Sequence, residues 1–168
     1  MEPIFEISFR DTEEMYAQLF RRLYGKRYLI YGISFAVFTL WMVYLWIVNQ
    51  WILYGGMALV FAVGTFWYLT YPTQMGKQNY RHRLNHLAGK EPHIRMTFDR
   101  DIHVSDEGPG STLSYDRVAK VYLLKDMFIF VMSYQSAFFA PYDGLTKGTR
   151  EELIAFLEQQ CPQAKFYR

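Results

Sequence analysis

From Tyr28 to Gly76 the chain has no Asp, Glu, Lys, Arg or His, although 20% of all 168 residues are charged. That gap of 49 residues excludes an ordinary soluble core, because a chain this short cannot enclose so long an apolar run. It also exceeds a single membrane crossing, which takes about 20 residues for a hydrocarbon layer of about 30 Å, and fits two crossings joined by a tight turn. With no ionisable group inside the run, a proton path or ion-coupled transporter is disfavoured, since those keep charged side chains within the bilayer. Cysteine is nearly absent too. Cys161 stands alone, so no intrachain disulfide forms and a reducing compartment is expected. Metalloprotease, serine-hydrolase and phosphate-loop motifs are also missing; no enzyme activity and no cofactor is expected.

The apolar run divides at Asn49 and Gln50. The first span, 28–48, holds eleven Leu, Ile, Val or Phe residues, which favour insertion by about 3 to 7 kcal/mol together. The second, 51–71, has eight such residues and three glycines, so its insertion is weaker and leans on the first. Tyr44, Trp46, Trp51 and Tyr54 flank the two amides as an interfacial belt, ring bodies in the acyl boundary and polar tips in the headgroups. A cleaved signal peptide is not expected, because the run begins behind an acidic, amphipathic leader and no small-x-small site follows it. Small residues, Gly32, Ala36 and Thr39 on one span and Gly55, Ala58, Ala62 and Thr65 on the other, suit either close packing within the hairpin or self-association.

Basic residues collect at one end of the run. Arg21, Arg22, Lys26 and Arg27 precede it and Lys77, Arg81, Arg83 and Lys90 follow, while the turn carries no charge. The positive-inside rule then places both termini in the cytoplasm. Residues Glu91 to Arg168 hold nine basic and eleven acidic side chains, so the basic excess belongs to this collar. Nucleic acid is therefore disfavoured as a partner. A bilayer with anionic headgroups is the better counterion, and the same residues also serve as topology signals.

Outside the run, residues 1–10 contain an alternating strand, Phe5, Ile7 and Phe9. Asp11 with Glu14 offers a helix start, and an amphipathic helix over 11–27 leads to the first span. Pro72 suggests a break, and a shorter amphipathic helix over 73–89 follows, ending at Gly89. From 91 the period becomes two. About six short strands are expected: Ile94 to Phe98, Ile102 to Val104, Thr112 to Tyr115 after the "SDEGPGS" turn, Val118 to Leu124, Met127 to Tyr134, and Ala137 to Ala140. A last helix starts at a capping box, Thr149 with Glu152, and stops at Cys161 and Pro162. The strand at Phe5 to Phe9 is the natural seventh member. The fold class expected is α+β: a two-helix transmembrane hairpin inserted after the first strand of a small, antiparallel, pleckstrin-homology-like sheet or barrel, capped by a C-terminal helix.

Taken together, the short leading strand, the two spans, "SYDRVAKVYLLKDMFIFVM", the proline in "FFAPYDG" and the final "TREELIAFLEQ" resemble the YcxB-like family of bacterial membrane proteins. The resemblance covers nearly the whole chain. It implies a bacterial cytoplasmic membrane, a cytoplasmic pleckstrin-homology-like module over 91–168, and no established activity. Two positions depart from the family pattern: Tyr115 stands where tryptophan is frequent, and Tyr142 and Asp143 stand where basic residues are common.

One pair of side chains invites metal chemistry. His82 and His86 lie four apart on a helix, but a third ligand from Glu91, His93 or His103 is not set by any spacing, and a headgroup-facing basic turn explains them as well; no metal is expected. The function expected is a non-enzymatic, membrane-anchored interaction module whose partner is a protein segment or the lipid surface. The alternative is a small accessory subunit of a larger membrane complex or transporter.

Overall fold

The computed structural model describes residues 3–87, 89, 91–105, 110–132 and 136–168. The chain forms two compact units, Thr12–His86 and the combination of Met1–Asp11 with Leu87–Arg168.

The first unit is an antiparallel pair of long helices, α1 (Glu13–Asn49) and α2 (Ile52–His86). Helix α1 starts at Thr12, whose hydroxyl accepts from the Met15 N–H at 3.3 Å. Asp11, expected as the cap, instead gives its own N–H to the Pro92 carbonyl at 3.1 Å. No boundary separates the expected leader helices from the apolar spans: each helix runs straight through, Pro72 included. A proline removes one backbone donor, here the one due to the Tyr68 carbonyl, and the helix nonetheless continues through it. The nearby Thr70 hydroxyl bonds the Phe66 and Trp67 carbonyls of the turn before, at 2.9 and 3.2 Å. Helix α2 then ends at His86, short of Gly89, which lies beyond it at φ +81°.

Asn49 and Gln50 do make the turn. Asn49 Nδ2 folds back to donate to the Leu45 carbonyl, one turn earlier in α1, at 3.0 Å. Gln50 takes a left-handed conformation, φ 54°, with its N–H on the Trp46 carbonyl at 2.7 Å. Small residues let the helices close. A Cβ on Gly76 would lie 2.5 Å from the Tyr16 carbonyl oxygen, and one on Gly64 2.5 Å from the Phe35 ring. Gly32 of α1 and Ala58 of α2 are buried as well.

The second unit holds nine strands among the described residues, arranged in two sheets rather than the single curved sheet expected. One runs in the order β4 (Ser111–Leu113), β3 (Ile102–Ser105), β2 (His93–Phe98), β1 (Phe5–Arg10), β8 (Leu145–Lys147). The other runs β7 (Ala137–Pro141), β6 (Met127–Met132), β5 (Val118–Leu123), β9 (Lys165–Tyr167). The division falls where Tyr115–Arg117 winds into a 3-10 turn, which stops β4 from running on into a pairing with β5. The expected "SDEGPGS" turn and the end of the strand at Tyr134 lie partly or wholly outside the described residues.

Leading strand β1 does join the later strands, and it sits inside its sheet. Phe5, Ile7 and Phe9 lie opposite Phe98, Met96 and Ile94 in antiparallel register with β2, while β8 closes the other side. The chain therefore leaves this sheet after β1 and returns as its immediate neighbour β2. Between the two sheets, the Phe98 ring meets Phe128 and Phe130 at 6.4 and 6.2 Å, and Phe9 meets Phe139 at 6.1 Å. Helix α3 (Arg150–Gln160) begins at the expected Thr149–Glu152 capping box. It inserts Leu153 and Leu157, both fully buried, and seats Phe156 against Phe5 and Tyr115.

Candidate functional site

Both long helices are apolar enough to cross a membrane, and in the most apolar 18-residue window of each only 6% of the residues are buried. Ile52, Leu40 and Phe66, for example, are 90%, 71% and 69% exposed. A core helix of a soluble protein would be covered; these faces are not.

At one end of this surface lie the basic residues singled out from the sequence, and the structure gives them unequal surroundings. Lys77 Nζ and Arg81 Nη2 approach Glu13 Oε1 at 3.8 and 3.4 Å, and Arg83 Nη1 donates to the Tyr16 hydroxyl at 2.8 Å. Those three cations tie α2 to the start of α1. Arg27 turns along its own helix, its Nε donating to the Tyr31 hydroxyl at 3.2 Å. Arg22 is half-buried, whereas Arg21 and Lys26 are exposed and have no ion-pair or hydrogen-bond partner among the described residues. Lys90 lies outside the described residues.

At the other end, Trp51 stacks on Tyr54 with centroids 6.1 Å apart, Tyr44 lies against Trp41, and Trp46 packs beside Gly55. The four belt residues thus gather around the turn. A second cluster, missed in the sequence reading, sits just inside the basic collar. Tyr28 meets Tyr71 at 5.1 Å and Tyr68 at 6.1 Å, Tyr31 meets Tyr68 at 5.8 Å, and Trp67 meets Tyr71 at 6.0 Å. At 1.5 Å of rise per residue, Trp51 and Tyr71 are about 30 Å apart along α2, the thickness of a hydrocarbon layer. The signal was present as tyrosines at both outer ends of the run; only the pairing of helices shows that they make one ring.

Between the helices, at the level of the collar, a groove of about 680 Å³ is bordered by Arg21, Gly25 and Leu29 of α1 and by Leu69, Thr73 and Lys77 of α2. Gly25 opens it by having no side chain; a Cβ there would meet only Arg21 Cγ, at 3.6 Å.

No family model, curated protein or solved structure matches this chain. Its function is therefore read from its own geometry.

In the sheet unit, Arg150 donates to the carbonyls of Leu124 and Lys125 at 3.3 and 3.1 Å, and its guanidinium lies 4.2 Å from the centre of the Tyr142 ring. Tyr142 is thus a platform for a basic residue that arrives from α3. Burial pushes the Tyr115 and Tyr142 hydroxyls up from the ordinary tyrosine value. His82 and His86 are exposed on α2, while His93 Nε2 lies 3.2 Å from Ser8 Oγ and His103 Nδ1 3.0 Å from Thr112 Oγ1. Among the described residues no three His, Cys, Asp or Glu side chains converge.

Proposed function

We propose that the chain is a non-enzymatic, membrane-anchored interaction protein. In this reading the hairpin crosses the bilayer twice, both termini are cytoplasmic, and the sheet unit binds a protein segment or the lipid surface. One observation carries it: the uncovered apolar surface of α1 and α2, closed by aromatic rings at both ends and by cations at only one. The same reading makes the sheet unit pleckstrin-homology-like and the chain YcxB-like, in a bacterial cytoplasmic membrane. Support comes from the order of elements, a four-strand meander β1 to β4, a three-strand meander β5 to β7, and a closing helix α3.

The test is side-specific labelling in intact cells. Asn49→Cys in a Cys161→Ser background should react with a membrane-impermeant maleimide, while the parent's Cys161 should react only after lysis in denaturant. Labelling of Cys161 from outside would overturn the orientation.

A second reading, an accessory subunit, draws on an open apolar groove of about 500 Å³ near the turn, lined by Val43, Trp46, Ile52, Gly55 and Ala62 among others. Such a groove suits a helix of another protein. Purification in mild detergent separates the two, since a subunit brings a stoichiometric membrane partner and an anchor does not.

A further inference from the structure

We infer that the groove between Arg21 and Lys77 is a binding site for one anionic phospholipid, an inference that rests on the hairpin spanning a bilayer. Its polarity runs in the order of a lipid. Arg21 and Lys77 stand at one level; eight residues further along their helices, about 12 Å at 1.5 Å per residue, Leu29 and Leu69 line the other level. Thr73 lies between. A phosphodiester at the cations therefore places its glycerol beside the threonine and its first methylenes on the leucines.

Charge and size agree. Arg21 has no partner among the described residues, and the one long pair of Lys77, 3.8 Å to Glu13, leaves other ammonium protons to donate. A groove of about 680 Å³ falls among cavities that hold small molecules, roughly 300 to 1,000 Å³. Gly25 makes the entrance, and the apolar end, at Leu29 and Leu69, lies at the level of the tyrosine ring of Tyr28 and Tyr71, where headgroups give way to hydrocarbon. Cations that served only as topology signals would need no groove beside them.

The probe is phosphatidylglycerol against phosphatidylcholine of the same chain length, titrated onto the delipidated full chain in detergent and counted by native mass spectrometry. Each nearby cation is worth about fivefold, so the pair should give one phosphatidylglycerol a preference of about 30-fold. Arg21→Gln should lower that preference about fivefold. Gly25→Leu, which fills the groove and leaves every charge in place, should abolish it, with unchanged helicity and a monodisperse elution profile. Glycerol 3-phosphate at millimolar concentration should not compete, because it lacks the methylenes. An unaltered preference in Gly25→Leu means a diffuse collar and overturns the site. So does full competition by glycerol 3-phosphate, which would mark a plain anion site. Carbonate extraction of the source membranes keeps the two readings apart: release of the protein sinks the spanning hairpin and the lipid site together, whereas retention without lipid preference sinks only the site.

Discussion

Cys161 shows how one residue's surroundings alter its chemistry. Its thiol is fully buried at the end of α3, and that burial pushes its ionisation up to about 11 from the ordinary 9.0. The consequence has a definite sign. Below pH 9 the thiol is protonated whether the chain is folded or not, and its contribution is fully present. Between 9 and 11 the unfolded chain releases the proton and the folded one keeps it, so stability falls as pH rises, by at most about 1.4 kcal/mol per pH unit. The buried Tyr115 hydroxyl, also raised, adds a fall that starts near 10. Denaturant midpoints taken from pH 8 to 10.5 should drop, and Cys161→Ala should remove the part that begins at 9. A Cys161→Ala curve that superposes on the parent would show that the thiol is solvated. The single cysteine was plain in the sequence; its inaccessibility came from α3 folding over β-strands distant in the chain.

Among the elements, the hairpin is the most legible, and its closest approach the least. The uncharged run, its basic flanks and the two amides mark where α1 and α2 turn. Nothing in the sequence distinguishes Gly76 from Gly56, yet a Cβ on Gly76 would press on the Tyr16 carbonyl oxygen at 2.5 Å and the Ala17 Cα at 2.7 Å, while one on Gly56 meets nothing within 4 Å. Backbone atoms cannot swing aside as a side chain does, so Gly76→Leu must part the helices and strain the Glu13 pairs with Lys77 and Arg81. Overpacking of this kind costs about 1 to 3 kcal/mol or more. The thermal midpoint of the full chain in detergent should fall for Gly76→Leu and stay unchanged for Gly56→Leu. Equal midpoints would refute the close crossing. Pro72 was expected to divide helices, but the following segment had α1 to pack on, and packing outweighed one lost hydrogen bond.

At the scale of the whole molecule, the informative fact is that the hairpin is an insertion. Phe5, Ile7 and Phe9 are 6%, 0% and 6% exposed, and burying three such side chains is worth about 5 to 9 kcal/mol. That is comparable with the entire stability of an ordinary domain, about 5 to 15 kcal/mol. Residues 91–168 alone should therefore aggregate, with β2 and β8 deprived of their shared neighbour. Joining residues 3–11 to 91–168 through about six Gly and Ser residues should restore a soluble, cooperatively unfolding monomer, because the Asp11 N–H already lies 3.1 Å from the Pro92 carbonyl and the loop is short. Ile7→Asp should cancel the rescue by burying a charge. If residues 91–168 prove as stable by themselves as when joined, β1 is dispensable and the insertion reading fails.

By itself the sequence determined what depends on local period and on solvent. The uncharged run, the one-sided collar, the amide turn, the β5–β6 hairpin around Lys125 and Asp126 and the capped start of α3 are all set by residues a few positions apart. Tertiary structure decided what depends on distant partners. Strands β8 and β9 have three residues each, too few for alternation to register, and exist because β1 and β5 offer edges to pair with. The two-sheet division follows from the turn at Tyr115, and the groove beside Gly25 exists only once α2 brings Lys77 and Leu69 alongside α1. Backbone pairing and interhelical space belong to two segments at once, so neither segment's sequence contains them.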